Sequence, residues 1–150
     1  MTIKPIVIGL SALLLAGVSM TAFTFNIAGI KWPGANTLLY IGMTGNSPSG
    51  TLWRDALARA AQQWTDNTPF TFFVDSSSRD PCNGYSTSSS GEDFPSGSGD
   101  GINGADFAST VCGNAYGGSV LAVTLVYTES NLLGGFDIVE ADMVFNSNSR

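Results

Sequence analysis

The sequence contains no histidine, and this absence excludes more chemistry than any residue that is present can suggest. A Ser-His-Asp triad needs an imidazole base, so the many serines of the chain cannot be activated in that way. A tetrahedral zinc site usually needs histidines or further cysteines, and the chain has only Cys82 and Cys112. The sequence therefore predicts neither a serine hydrolase nor a zinc site of its own.

Charged residues are also scarce, at 12% of the chain against about 25% in an average soluble protein. The 12 acidic residues outnumber the 6 basic ones, which gives a net charge of −6. An acidic surface repels phosphate backbones, so we expect no nucleic-acid partner. The same acidity suits hard cations such as calcium, which prefer oxygen ligands.

The one long apolar run lies near the amino terminus, over residues 6–18, shortly after Lys4. A basic start and a short apolar core are typical of a secretory signal peptide, and the run is too short to span a hydrocarbon core of roughly 30 Å. We predict cleavage after Ala22, so that residues 1–22 are the signal peptide and residues 23–150 are one exported domain. An uncleaved amino-terminal anchor is the alternative. Both interpretations place the domain outside the cytoplasm, in the periplasm or the extracellular space.

The two cysteines predict one disulfide, Cys82–Cys112, because an even pair in an exported chain is normally oxidised. The alternative, two thiolates that bind a metal, lacks further ligands of the usual kinds. The bridge would tie down a long loop over residues 75–104, which is dominated by serine, glycine and aspartate. By the chain-entropy model, closing the loop between Cys82 and Cys112 stabilises the folded state by about 3–4 kcal/mol.

The remaining patterns predict an α+β fold. Four segments have the composition of β-strands and one has an apolar stripe at helical spacing; the strands are residues 37–41, 70–74, 120–128 and 138–146, and the helix is residues 52–64. We expect a twisted mixed β-sheet packed on this one long amphipathic helix, with the Ser/Gly-rich loop outside it. The helical stripe includes Trp53 and Trp64, which we assign to the core.

The last two strands carry the most information about burial. Residues 120–128 are apolar at nearly every position, which predicts a strand buried on both faces. Along residues 138–146 the side chains are expected to alternate between the two faces of a strand. One face carries Ile138, Glu140, Asp142 and Val144, and the other carries Val139, Ala141, Met143 and Phe145. One helix covers only one face of a sheet, so we expect the other face to expose an apolar patch through which the chain self-associates.

The order of these elements forms a recognisable series. A Trp32-Pro33 turn precedes a strand, the helix ends in Gln63-Trp64-Thr65, and a Pro-Phe-Thr-Phe strand follows. The last strand contains Ala141-Asp142 followed by two more apolar residues. From Trp32 to Asn146 the series resembles the amino-terminal half of the catalytic domain of matrixin-like zinc metallopeptidases, within the metzincins.

The resemblance implies the upper subdomain of a zincin-like fold and, in the complete enzyme, hydrolysis of protein or peptide substrates by a zinc-bound water. The family binds zinc through a helix with His-Glu-x-x-His and a third histidine, and that helix follows the Ala-Asp strand. None of this is present here, so residues 23–150 would be a partial, truncated metallopeptidase-like domain, inactive alone and without catalytic residues. The alternative is a stand-alone, non-catalytic secreted module for binding or assembly on the same scaffold.

Asp142 is the candidate metal ligand, because the corresponding aspartate in matrixins can bind a structural calcium. The alternative is a plain solvent-facing carboxylate, since one carboxylate rarely suffices for calcium. Glu140 lies on the same strand face, but two carboxylates on one strand do not flank a cleft as a glycosidase pair does. Residues 100–104 have oxygen side chains at some calcium-loop positions, but Ile102 stands where a ligand is needed, which favours a simple turn.

Overall fold

The computed structural model describes residues 30–86 and 96–149. The predicted signal peptide with its cleavage site, and the centre of the Ser/Gly-rich loop, lie outside these residues. None of the helices in the described ranges has the length and apolar character needed to cross a bilayer.

The described chain is α+β, with a mixed sheet and one α-helix, as the sequence predicts. Its elements are β1 (Ile30–Lys31), β2 (Asn36–Ile41), α1 (Trp53–Asn67), β3 (Thr71–Asp75), β4 (Tyr85–Ser86), β5 (Ser96–Gly97), β6 (Asn103–Ala108), β7 (Ala122–Ser130) and β8 (Phe136–Asn146). A short 3-10 turn, Ser147–Ser149, follows β8. The helix stops at Asn67, two residues before Pro69, because proline disfavours a helical residue ahead of it.

The main sheet is mostly parallel. Its strands lie in the order β7-β8-β6-β2-β3, and only the edge strand β7 runs antiparallel to its neighbour. The short strand β1 pairs in parallel with the start of β8, where Ile30 lies opposite Phe136. Strands β4 and β5 form a separate antiparallel pair.

Helix α1 packs mainly across β2 and β3 on one face of the sheet, which we call the helix side. The buried centre of this layer is made by Leu39, Ile41, Met43 and Ala105. Trp53 contributes as predicted, with its ring edge-on to Phe107 at 5.9 Å between centroids. The assignment of Trp64 to the core is wrong, because its side chain lies at the rim of the helix and is half-exposed.

The opposite face, which we call the covered face, is closed by segments that the disulfide holds together. The predicted bridge is confirmed, with Cys82 and Cys112 5.1 Å apart at their Cα atoms. Next to it Val111 packs on Leu125 and Val144, so this face has an apolar cluster of its own. The prediction that residues 120–128 are buried on both faces is wrong, because α1 packs on β2 and β3 and the helix side of β7, including Val126, is exposed.

A register shift between β7 and β8 alters the predicted alternation at one point. The pairing moves from Tyr127↔Glu140 to Thr128↔Ile138, so one residue of β8 is bulged out. As a result Ile138 lines a helix-side cavity with Trp32 and Phe72 and does not share the face of Glu140. From Glu140 to Asn146 the predicted alternation holds, whereas the bulged Val139 lines a different cavity with Glu129 and Asp137.

We expect the double substitution Cys82→Ser/Cys112→Ser to lower the free energy of unfolding by about 3–4 kcal/mol, because the bridge restricts a long loop in the unfolded chain. Urea denaturation of both proteins measures the difference. Reduced wild type is the control and should match the variant. Intact mass after alkylation should show no free thiol in exported protein; two free thiols would contradict the assignment.

Candidate functional site

Two carboxyl groups lie beneath the covered face, side by side on β8. Glu140 is 0% exposed and Asp142 is 2% exposed. The interpretation of Asp142 as a solvent-facing carboxylate is therefore wrong. The reason is that residues 81–86 and 99–104, next to the disulfide, fold over this part of the strand.

Glu140 holds the incoming loop by its backbone. Its Oε2 accepts hydrogen bonds from the N–H of Asp100, at 2.7 Å, and from the N–H of Gly101. The backbone of Gly99 has φ +64° and passes so close that a methyl group there would overlap the Glu140 carboxylate. Only glycine combines this conformation with this approach.

The turn after Gly99 is organised by its own polar side chains. Oδ1 of Asp100 accepts a hydrogen bond from the N–H of Ile102 at 2.9 Å, and Oδ2 accepts one from Nδ2 of Asn83 at 2.6 Å. Residues 100–102 thus form an Asx turn that leads into β6. The buried Asn103 then joins two strands, since its Nδ2 donates to the carbonyl of Leu38 and its Oδ1 accepts from the N–H of Ala141.

Asp142 is bonded on one side and desolvated on the other. Its Oδ1 accepts a hydrogen bond from the N–H of Gly104 at 2.6 Å. The pKa of Asp142 is raised to about 8, mainly by burial and also by the neighbouring Glu140 carboxyl group, while the hydrogen bond from Gly104 opposes the rise. Burial also raises the pKa of Tyr85, and the nearby Glu140 carboxylate adds to this effect.

The buried pair of carboxyl groups, Glu140 and Asp142, is stabilised by one proton. Among the described residues, Oε1 of Glu140 and the hydroxyl of Tyr85 are buried without a hydrogen-bond partner. A proton on Asp142 gives the pair one negative charge in place of two and a donor that faces Glu140. Neither carboxyl group is exposed in the part of the chain that the structure describes, and both accept hydrogen bonds that hold the loop on the sheet.

The described residues do not assemble a metal site around Asp142. No group of three or more His, Cys, Asp or Glu side chains in this part of the chain is placed to hold an ion. The carboxylate oxygens already accept backbone N–H groups from residues 100, 101 and 104. Calcium at this position, and zinc in a complete enzyme, stay predictions.

A second candidate site is an apolar cleft beside α1. Its volume is about 250 Å³, and it lies between Leu57, Ala60 and Trp64 of the helix and Met143 of β8. Beyond Met143 the helix side continues to β7, where Val126 pairs with Ala141 and is half-exposed. Within the described residues, α1 therefore covers β2 and β3 on the helix side and leaves Val126 of β7 exposed. Comparisons with known proteins found no matching family model, no matching curated protein and no matching solved structure.

We expect Gly99→Ala to destabilise the fold more than Gly101→Ala. Both glycines have a positive φ, so both substitutions carry a backbone cost of roughly 1–2 kcal/mol. A methyl group at Gly101 meets nothing within 4 Å, whereas at Gly99 it meets the Glu140 carboxylate. Denaturant unfolding of the two variants isolates this contact, and equal losses would contradict the close approach.

We expect stability to fall with rising pH through Asp142. Its folded pKa lies above the usual value of 3.8, so the folded chain keeps a proton that the unfolded chain releases. This contribution is fully present below about pH 4 and is lost as the pH rises to about 8, by at least about 1 kcal/mol. The Asp142→Asn variant should lack this slope and exceed wild type in stability at pH 8.

Urea midpoints across this pH range give the measurement. The exposed carboxylate Glu129 supplies the control, since Glu129→Gln should keep the wild-type slope. A parallel pH dependence of wild type and Asp142→Asn would show that no proton is held at this site.

Proposed function

We propose that this chain is the sheet-and-helix part of a matrixin-like zinc metallopeptidase domain, the upper subdomain of a zincin-like fold. The order of elements supports the proposal, since the Trp-Pro turn, β2, α1, β3 and the Ala-Asp strand β8 succeed one another as in the resemblance. In the complete enzyme the reaction would be the hydrolysis of peptide bonds.

The apolar cleft beside α1 is the observation that carries the proposal. It borders the carboxy-terminal half of β8, and in the resembling family the zinc-binding helix follows this strand. A helix packed alongside α1, at the usual axis separation of about 8–10 Å, would cover Met143 and extend toward Val126. Each large apolar side chain buried in this way stabilises the domain by about 1.5–3 kcal/mol.

The residues of this chain would support the site without performing the chemistry. Zinc would supply an activated water, but the chain has no histidine to bind it, so no step of hydrolysis is assigned to these residues. Glu140 and Asp142 are buried on the covered face and hold the loop. The chain alone is expected to be inactive.

The alternative is a stand-alone secreted module that binds an extended partner. Strand β7 favours it, because within the described residues β7 pairs with β8 alone and its other edge is open. An open edge of nine residues can accept a further strand from a partner by backbone hydrogen bonds. This function needs neither zinc nor a second helix.

Reconstitution tests the proposal. We expect the DNA downstream, in this or a shifted frame, to encode a helix with His-Glu-x-x-His and a third histidine. A protein extended by that segment should bind one zinc ion and cleave casein, whereas the chain alone should do neither. If no reading frame encodes such a segment, the metallopeptidase proposal fails and the stand-alone binding module takes its place.

Two substitutions on α1 test whether the cleft receives the added segment. Ala60 lines the cleft and is exposed in the chain alone, so Ala60→Glu should leave this chain folded but reduce zinc binding and cleavage by the extended protein. Gln63→Glu introduces the same residue on the same helix outside the cleft and should have no effect. Equal activity of the two variants would contradict the proposed packing.

A further inference from the structure

The turn between β7 and β8 presents two leucines to solvent. Leu132 is 105% exposed and Leu133 is 95% exposed, and the nearby Phe136 is half-exposed. Single exposed apolar residues are common on protein surfaces, but two adjacent leucines at the tip of a hairpin form a projecting apolar knob. We call these three side chains the leucine tip.

The turn itself is built firmly, so the exposure of the leucines is set by the backbone. Oδ1 of Asn131 accepts hydrogen bonds from the N–H groups of Leu133 and Gly135, each at 3.0 Å. Its Nδ2 donates to Asp137 at 2.9 Å, and its backbone N–H donates to the carbonyl of Gly135 at 2.9 Å. The leucines are thus held outward at little further cost in conformational entropy on binding.

The first described strand, β1, lies at this same end of the domain. Strand β1 runs parallel to β8, and its first residue, Ile30, lies opposite Phe136. The 29 residues before Ile30 include the apolar run, and even after cleavage at Ala22 they leave Phe23, Phe25 and Ile27. The described chain therefore begins beside the leucine tip, and the sequence that precedes it is rich in apolar residues under either interpretation of the leader.

Charges near the leucine tip are of both signs. Lys31, Glu129 and Asp137 line a cavity of about 550 Å³ at the base of the two leucines. The chain as a whole carries a net charge of −6, which opposes attraction to anionic lipids. A zwitterionic headgroup layer, with a phosphate and an ammonium group, matches this arrangement.

We propose that the leucine tip is a lipid-contacting surface, in which Leu132 and Leu133 insert into the outer layer of a zwitterionic membrane. A protein partner fits less well, because three side chains offer far less than the about 800 Å² that each partner buries in a stable protein interface. Insertion into lipid needs only the side chains themselves. This property goes beyond the proposed function and does not depend on it.

Vesicle flotation tests the proposal with the chain purified from the exported fraction and phosphatidylcholine vesicles. Wild type should float with the vesicles equally at low and high salt, and added anionic lipid should not strengthen binding. Leu132→Ser/Leu133→Ser should weaken binding at least about tenfold. The control is Leu121→Ser, which removes a leucine that is 70% exposed at the other end of β7 and should bind like wild type.

A second variant reports on the depth of insertion. Leu133→Trp should be quenched by lipids brominated near the headgroup, beyond any quenching of wild type. The thermal unfolding of the Leu132→Ser/Leu133→Ser variant should match that of wild type, because the two replaced leucines are exposed.

The proposal is overturned if wild type does not float, if it floats only with anionic vesicles at low salt, or if Leu121→Ser weakens binding equally. It is also overturned if light scattering shows self-association that the double substitution abolishes while no protein binds vesicles.

Discussion

The burial of two neighbouring carboxyl groups on one strand is the constraint on which the covered face depends. Glu140 and Asp142 can lie out of water only if their oxygens are bonded and one of the two charges is removed. Backbone N–H groups of residues 100, 101 and 104 supply the bonds. A proton on Asp142 removes the charge. Because these donors belong to the loop that the disulfide ties down, the strand, the turn into β6 and the bridge form one unit.

The two faces of the sheet are covered by different kinds of structure. On the covered face, irregular chain closes the layer, and it can do so because polar side chains satisfy its backbone groups. On the helix side, α1 covers β2 and β3 and leaves an apolar cleft next to Met143. Within the described residues the covered face is therefore complete, while the helix side keeps an apolar cleft and exposed apolar side chains on β7.

Regular elements could be predicted from the sequence because their periodicities are local. The helix, the four strands β2, β3, β7 and β8, and the α+β class follow from spacing, and the disulfide follows from an even cysteine pair in an exported chain. The central strand β6 is not predicted, because its sequence Asn-Gly-Ala-Asp-Phe-Ala has the composition of a turn and follows the Ser/Gly-rich loop directly. The burial of Glu140 could not be predicted in this way, because it depends on a loop forty residues earlier in the chain. The one local signal is the alternation of Glu140 and Asp142 with Val144, an apolar residue on the same face. Likewise, Val126 looks buried by composition, but only the position of α1 decides that it is not.

The carboxyl pair, the apolar cleft and the leucine tip lie in different parts of the domain, so none of them obstructs the others. The carboxyl pair stabilises the covered face, the cleft lies on the helix side, and the leucine tip projects from the end where β1 begins. Lipid at the tip would leave both the cleft and the open edge of β7 accessible. A domain held in this way can receive a further helix or an extended partner while it stays at a membrane surface, so lipid contact is compatible with either proposed function.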